Sequence, residues 1–281
     1  MSIFYRKLKL LAITGLLTGI CLLTIAASSP AARASSGSTQ ASADLDHTPV
    51  GSTSLKWDPG TEQLTVTIML TGLAPKSTHP AHIHKGDCSI NGPILFMLND
   101  VVADAAGTAT STTTIADVEG GIPASGWYIN VHNGPGLKPA DQFTPIACAN
   151  IMNSDTETDE VQNVTATLGA TNAANQSADG MATLTLDDET LTVVVTLHGL
   201  VPGSKHAAHI HAGSCESQLP GKVVFMLNNV VADDDGNATV TTVINDVESI
   251  PASGWYVNVH FSTDLSTQTG FDPIACGNVE A

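Results

Sequence analysis

The chain is poor in basic residues. Its 281 residues include 10 lysines and arginines against 27 aspartates and glutamates, so the net charge is −17 with neutral histidines. A surface this acidic repels nucleic acids and anionic lipids, and it favours solubility and the attraction of cations. We therefore expect no nucleic-acid partner, and cations are the ligands that the charge favours.

Long apolar runs are also scarce, and residues 10–27 form the one stretch apolar enough to span a bilayer. The basic segment "MSIFYRKLKL" precedes it and the small-residue segment "SSPAARA" follows it, an order typical of an export signal. We predict a signal peptide at residues 1–34 and a secreted protein, periplasmic or extracellular. An uncleaved signal would instead anchor the chain in the membrane. Without residues 1–34 the chain has six basic and 27 acidic residues, a net charge of −21.

Cysteines are few. Of the five, Cys21 lies within the apolar run, and the other four are Cys88, Cys148, Cys215 and Cys276. An even number of cysteines in an oxidising compartment predicts two disulfides, and four cysteines allow three pairings.

Two copies of one unit follow each other along the chain. The segment "FMLNDVVADAAGTATSTTTIADVEGGIPASGWYINVH" ends at His132, and "FMLNNVVADDDGNATVTTVINDVESIPASGWYVNVH" ends at His260, 128 residues later. A period this long predicts tandem domains, which we place at residues 35–154 and 155–281, with a polar, acidic linker at the join. Since each unit then holds one cysteine pair, the economical pairing is Cys88–Cys148 and Cys215–Cys276.

Within each unit the pattern is that of strands, and residues 35–281 contain no sustained helical periodicity. Leu64, Val66, Ile68 and Leu70 alternate with polar residues, as a strand with one buried face requires. Turn sequences such as "DPG" and "PASG" separate the runs. The predicted fold is all-β, with an antiparallel sandwich or a flattened barrel in each unit. "NVTATLGA" (163–170) is expected to be the first strand of the second unit, and "ASADLDH" a weaker counterpart in the first.

Eight of the ten histidines lie in the repeated motifs. Residues i and i+2 of a strand share a face, so His82 and His84 project together, and His132 at the end of "YINVH" can supply a third ligand. His79 lies an odd number of residues away and is expected to face elsewhere. The second unit repeats this set at corresponding positions, with His209, His211, His260 and His206.

Three neutral imidazoles suit copper or zinc, and copper is held more tightly at comparable nitrogen sites. Three protein ligands leave an open coordination position, as in reactive or transfer sites. The alternative is that each H-x-H is a polar strand face held by hydrogen bonds alone. Repetition of the whole set at a fixed period favours the metal site.

The order of motifs resembles that of two related families. "HPAHIHKGDCSINGP", "VVADAAGTA", "INVH" and "PIACANI" are similar to segments of the copper/zinc superoxide dismutases, and "LTGLAP", "AHIH" and "WYINVH" are similar to the chordin-type (CHRD) domain of bacterial secreted proteins. The resemblance covers each repeat and implies two tandem Greek-key antiparallel β-sandwiches, with CHRD the closer family. It implies copper ligands, a bracing histidine beside the last ligand, and the family disulfide. In this chain these are His82, His84 and His132 with His79 and Cys88–Cys148, and His209, His211 and His260 with His206 and Cys215–Cys276.

The chain departs from the dismutases where those enzymes bind zinc and guide superoxide. Ile94 stands where they have a histidine that bridges copper and zinc, and the second unit offers Lys222 or Val223 there. The loop with the remaining zinc ligands is missing, and Pro145 and Pro273 replace the guiding arginine. We therefore expect copper and no zinc. The open position permits superoxide dismutation, but the residues that would make it efficient are absent.

The sequence thus predicts an exported copper-binding protein with one three-histidine site per repeat. The alternative is a non-catalytic CHRD-type extracellular module, structural or adhesive, that binds no metal and contacts an extracellular or cell-surface partner. No serine or cysteine nucleophile stands in a recognisable arrangement with the histidines, which disfavours a hydrolase. Thioethers can bind copper, but we expect Met97 and Met226 to pack in the core. The repeated aromatic residues are expected to pack in the core and at its rim; they are Trp127, Tyr128, Trp255 and Tyr256.

Overall fold

The computed structural model describes residues 38–90 and 92–281, and the predicted signal peptide lies outside these residues. The described chain is almost entirely β. Within it no helix has the length and apolarity needed to cross a membrane. The elements of the first half are β1 (Thr39–His47), β2 (Val50–Asp58), β3 (Gln63–Thr71), β4 (Thr78–His79), β5 (Ala81–Lys85), β6 (Ile94–Met97), β7 (Val101–Val102), β8 (Ala109–Ile115), β9 (Trp127–His132), the short helix α1 (Ala140–Phe143) and β10 (Pro145–Ile151).

The second half repeats this series with the same order of elements. They are β11 (Gln162–Leu168), β12 (Asp179–Asp187), β13 (Thr190–His198), β14 (Lys205–His206), β15 (Ala208–Ala212), β16 (Val223–Met226), β17 (Val230–Val231), β18 (Ala238–Ile244), β19 (Trp255–His260), the short helix α2 (Gln268–Phe271) and β20 (Pro273–Asn278).

The hydrophobic core of the first repeat lies between two four-stranded antiparallel sheets. Their strand orders are β10-β9-β5-β6 and β11-β2-β3-β8. Leu64, Val66, Ile68 and Leu70 are all buried between them, so the alternation in the sequence marks the inner face of β3. The second repeat has the equivalent strand sets β16-β15-β19-β20 and β1-β12-β13-β18. Strand β1 pairs with β12 in its own set and with β20 in the other, so the two sets form one continuous sheet. The prediction of two antiparallel β-sandwiches is confirmed.

The two repeats exchange their first strands. β1 pairs along most of its length with β12 of the second repeat, and Leu45 packs in the second core. β11 pairs with β2 of the first repeat, and Val164 and Leu168 pack in the first core. The prediction that residues 163–170 open the sheet of the second repeat is therefore wrong, because this strand completes the first. The packed sheets do not follow the boundary that we place between residues 154 and 155 of the sequence.

The connection between β1 and β2 explains the exchange. Only Thr48 and Pro49 separate the two strands. A two-residue hairpin most often contains a residue such as glycine or asparagine that adopts positive φ, and neither Thr48 nor Pro49 is of that kind. The chain therefore continues from one sandwich into the other. At this crossing the imidazole of His47 donates a hydrogen bond from Nε2 to Ile146 O of the first repeat, over 3.0 Å.

The two short helices meet at the contact between the repeats. Thr269 of α2 donates a hydrogen bond to the carboxylate of Asp141 of α1, over 3.0 Å. These residues occupy corresponding positions, 128 residues apart, so equivalent helices of the two repeats contact each other. The amide of Gln268 reaches further into the first repeat, where it donates to Thr78 O and Asn133 O and accepts from Thr78 N.

The disulfides are Cys88–Cys148 and Cys215–Cys276, as the repeat predicts. Each bond links the loop after a histidine strand, β5 or β15, to the last strand of its repeat, β10 or β20. The disulfide thus fastens the segment that follows the candidate ligands to the body of the sandwich.

Candidate metal centres

In each repeat three histidines converge on the outer face of one sheet. In β5 the side chain of Ile83 enters the core while His82 and His84 point to the other face, as the two-residue period of a strand requires. His132 ends the neighbouring strand β9, which pairs with β5. The corresponding positions in β15 and β19 bring together His209, His211 and His260.

The histidine groups are compact and buried. One ring nitrogen from each of His82, His84 and His132 lies within 4.8 Å of the other two, and the same holds for the second group. His82 Nδ1 lies 3.2 Å from His132 Nε2, and His209 Nδ1 lies 3.1 Å from His260 Nε2. A single ion can therefore contact three nitrogen atoms in each repeat.

Backbone carbonyls fix the tautomers of two ligands in each group. His84 Nδ1 lies 2.9 Å from Gly92 O, and His132 Nδ1 lies 2.7 Å from Phe143 O. A carbonyl oxygen only accepts, so both Nδ1 atoms carry the proton and the neutral rings have a lone pair on Nε2. The second repeat has the same bonds, from His211 to Gly221 O (3.1 Å) and from His260 to Phe271 O (2.6 Å).

Burial keeps two imidazoles of each group neutral. The pKa values of His82 and His132 fall to about 4, and so do those of His209 and His260. The main cause is loss of hydration, which disfavours the charged ring, and the neighbouring imidazoles lower these values further. At neutral pH these four rings are therefore unprotonated bases, the form that binds a metal ion.

The donor set fits a metal ion. His84 Nε2 and His211 Nε2 are buried without a hydrogen-bond partner among the described residues. A buried polar atom left unpaired is costly and calls for an explanation. Their tautomers leave these two atoms with lone pairs, and an ion bound by the three nitrogens would take them up.

An aromatic residue and a glycine, which the sequence prediction did not include, position His84. The ring of Tyr128 stacks on the imidazole with centroids 5.0 Å apart, and its hydroxyl accepts a hydrogen bond from Gly92 N at 2.8 Å. A Cβ on Gly92 would lie 1.6 Å from Lys85 O, so only glycine brings its carbonyl to His84. The repeated "GWY" sequence was the available signal, but we assigned its aromatic residues to packing.

His79 and His206 lie outside the three-nitrogen groups. His79 donates from Nδ1 to the backbone carbonyl of His132 over 3.0 Å, and its Nε2 lies 2.6 Å from the hydroxyl of Ser77. His206 has the same relation to His260 and Ser204. Both side chains therefore hold the backbone of the strand that ends in the third histidine.

The edge strands beside the histidines have exposed apolar side chains. Ile94, in the place of a bridging histidine, pairs with His84 and is 42% exposed. Met97 pairs with His82 and Met226 with His209, and their exposed fractions are 62% and 65%. The prediction that these methionines pack in the core is wrong, because they lie on the outer faces of β6 and β16 while Phe96 and Phe225 point inward.

The chain belongs to the CHRD domain family. The family model for the CHRD domain matches it twice, over residues 31–135 and 160–264. Among solved structures, a SOD-like protein from Bacillus subtilis is similar to part of it, with 17% sequence identity and a TM-score of 0.28 over 35% of this chain and 88% of that chain. No curated protein matches the sequence.

Proposed function

We propose that this protein is an exported copper-binding protein that holds one copper ion in each repeat. The convergence of three buried imidazoles within 4.8 Å, repeated in both halves of the chain, carries the proposal. This arrangement buries basic nitrogen atoms away from water, which is costly. A polar surface patch has no need of such burial.

Copper is favoured over other ions by the donor chemistry. Imidazole nitrogens suit copper and zinc, and Cu(II) is bound more tightly than Zn(II) at a given nitrogen site. No carboxylate belongs to either group of converging ligands, which disfavours magnesium or calcium. The acidic chain raises the local concentration of cations.

The residues around the histidine groups and the net charge of the chain agree better with copper holding or delivery than with fast catalysis. Bound copper would supply a redox-active centre with an open coordination position. The chain's own residues hold the imidazoles in fixed tautomers and, through Tyr128 and Tyr256, cover one face of His84 and His211. Pro145 and Pro273 stand where a guiding arginine would be, and the net charge of −17 repels superoxide.

Copper stoichiometry tests the proposal. The purified protein is loaded with Cu(II), dialysed and analysed for copper per chain beside an assay of superoxide consumption. We expect two copper ions per chain and slow or no superoxide consumption. The double variant His82→Ala His209→Ala should lose both ions. His198→Ala is the matched control, because His198 is exposed and bonds to Asn237, and it should retain both.

The outcomes separate the two functions. Failure of the unaltered protein to retain copper after dialysis would overturn the proposal and favour a metal-free extracellular module. Retention of copper with rapid superoxide consumption would overturn the holding function but keep the copper sites. Export is tested separately by sequencing the N-terminus of the protein recovered outside the cytoplasm, which should begin at Ser35.

A further inference from the structure

Two exposed methionines occupy corresponding positions beside the two histidine groups. Met97 and Met226 each end the edge strand that follows the H-x-H strand, and each is more than three-fifths exposed. The other described methionines, Met69, Met152 and Met181, are also exposed, but none has a methionine at the corresponding position of the other repeat. The recurrence beside the histidines therefore distinguishes this pair.

The strand register places each methionine opposite a candidate ligand on the neighbouring strand. Met97 is the cross-strand partner of His82, and Met226 is that of His209. Leu98 N donates to Ala81 O over 3.0 Å, so the adjacent pair His82–Met97 is of the type without direct hydrogen bonds. In antiparallel sheets this type brings side chains closest, and opposite side chains share one face. The bond from Leu227 N to Ala208 O, also 3.0 Å, creates the same relation in the second repeat.

The two methionines are exposed and lie on edge strands. β6 and β16 lie at the edges of their sheets, so no further strand covers them. Methionine has a long, unbranched side chain with a polarisable sulfur and adapts to several geometries. The next outer-face neighbours, Ile94 opposite His84 and Val223 opposite His211, have no donor atom. Among the partners of the H-x-H histidines on β6 and β16, only the methionines have a side-chain donor atom.

We propose that Met97 and Met226 are additional ligands that bind copper in its reduced state. This inference rests on the proposed copper-binding function. A thioether is a soft ligand that selects Cu(I), whereas imidazole nitrogens suit Cu(II) as well. Each site thus holds Cu(II) through its histidines and gains a sulfur ligand for Cu(I). The protein therefore retains copper through a change of oxidation state, as a holding or delivery function requires.

The test compares the affinities for the two oxidation states. Cu(I) is titrated under anaerobic conditions against a chromophoric Cu(I) chelator, and Cu(II) against a Cu(II) chelator. For Met97→Leu Met226→Leu we expect Cu(I) affinity to fall at least about tenfold while Cu(II) affinity changes less than about twofold. X-ray absorption at the copper edge of the Cu(I)-loaded protein should contain a sulfur contribution, which the variant lacks.

Met69→Leu Met181→Leu is the matched control. These residues are 47% and 45% exposed and lie in β3 and β12, in the four-strand sets that do not contain the histidine strands. This control should keep the Cu(I) affinity and the sulfur contribution. If the unaltered protein binds Cu(I) without a sulfur contribution and Met97→Leu Met226→Leu binds it equally well, the methionine proposal is overturned while the copper function stands. If the unaltered protein binds neither oxidation state, the copper function itself fails.

Discussion

The ring of Tyr128 stacks on the ring of His84, with an interplanar angle of 20° and centroids 5.0 Å apart. The hydroxyl of the same tyrosine accepts a hydrogen bond from Gly92 N, and Gly92 O accepts one from His84 Nδ1. One side chain thus sets the position of the ring and, through the glycine, the nitrogen that carries its proton. Contacts that orient a metal ligand in this way have a large effect on the affinity of the site for its metal.

We predict that Tyr128→Phe weakens copper binding at the first site by about tenfold. The phenylalanine keeps the stacking but leaves Gly92 N without its acceptor, so the carbonyl that orients His84 is less fixed. The measurement is Cu(II) competition in a His209→Ala background, in which only the first site binds. An unchanged affinity would show that the backbone holds Gly92 without the hydroxyl.

Tyr256→Phe in the second repeat is the control for this prediction. Tyr256 stacks on His211 in the same way, with centroids 5.1 Å apart. The glycine that orients His211 is Gly221, whose N–H donates to Ala212 O and not to the tyrosine. Loss of the hydroxyl should therefore leave the affinity of the second site within about twofold in a His82→Ala background.

The strand exchange predicts which pair of introduced cysteines will form a disulfide. Ala43 of β1 lies opposite Ala182 of β12, and both side chains are buried. Without exchange, Ala43 would face Thr53, which corresponds to Ala182 in the first repeat. Ala43→Cys Ala182→Cys should therefore cross-link within one chain, because opposite residues of paired strands are close enough for a disulfide.

Peptide mapping by mass spectrometry after non-reducing digestion detects this cross-link. The control Ala43→Cys Thr53→Cys should leave both added thiols free. A bond between the two introduced cysteines of that control would show that each repeat retains its own first strand.

The buried histidines predict that the metal-free protein is sensitive to acid. The pKa of His79, His82 and His132 is about 4 in the folded state, whereas an unfolded histidine titrates near 6.5. Between these values the unfolded chain binds more protons, so the free energy of unfolding decreases as the pH falls from about 6.5 to about 4. Above this window the free energy of unfolding no longer depends on the protonation of these histidines.

Urea unfolding in the presence of a metal chelator, at about pH 7, 5.5 and 4.5, measures this dependence. His198→Ala should give the same slope as the unaltered protein, since that side chain is exposed. A constant midpoint over the range would contradict neutral burial of the histidines.

The burial of the Asp272 carboxylate indicates that a substitution at this position will stabilise the protein. Both of its carboxylate oxygens are buried without a hydrogen bond of normal geometry among the described residues. Burial raises the pKa of Asp272 well above its usual range, and the amide of Gln268 offsets this only in part. In the first repeat the corresponding residue is Thr144, whose hydroxyl donates to Ala140 O over 3.2 Å.

We expect Asp272→Thr to raise the free energy of unfolding by about 1–3 kcal/mol at neutral pH. The gain should shrink in acid, because the folded protein binds a proton at Asp272 at a higher pH than the unfolded chain does. Urea unfolding of both proteins at two pH values measures it. A loss of stability at neutral pH would show that the carboxylate has a partner, such as a bound cation.

Much of the site was predictable because its pattern is local. The period of two in a strand places His82 and His84 on one face, and the repeat relates every member of the set to its counterpart. The carbonyls of Gly92 and Phe143 were not predictable, since backbone groups carry no sequence signal of their own. The sequence did not predict the exposure of Met97, because an apolar strand residue can lie on either face of its sheet. Only the packing of the sheets defines which face is the inner one.

The sequence by itself determined the strands, the two histidine groups and the cysteine pairs, because each depends on spacing along the chain or on the 128-residue repeat. Only the tertiary structure decided that β1 belongs to the second sandwich and β11 to the first. The two repeats have nearly the same inner faces, so local pattern cannot tell which copy a strand completes. The short link at Thr48 and Pro49 lacks the residues that favour a two-residue hairpin, so it favours the exchange.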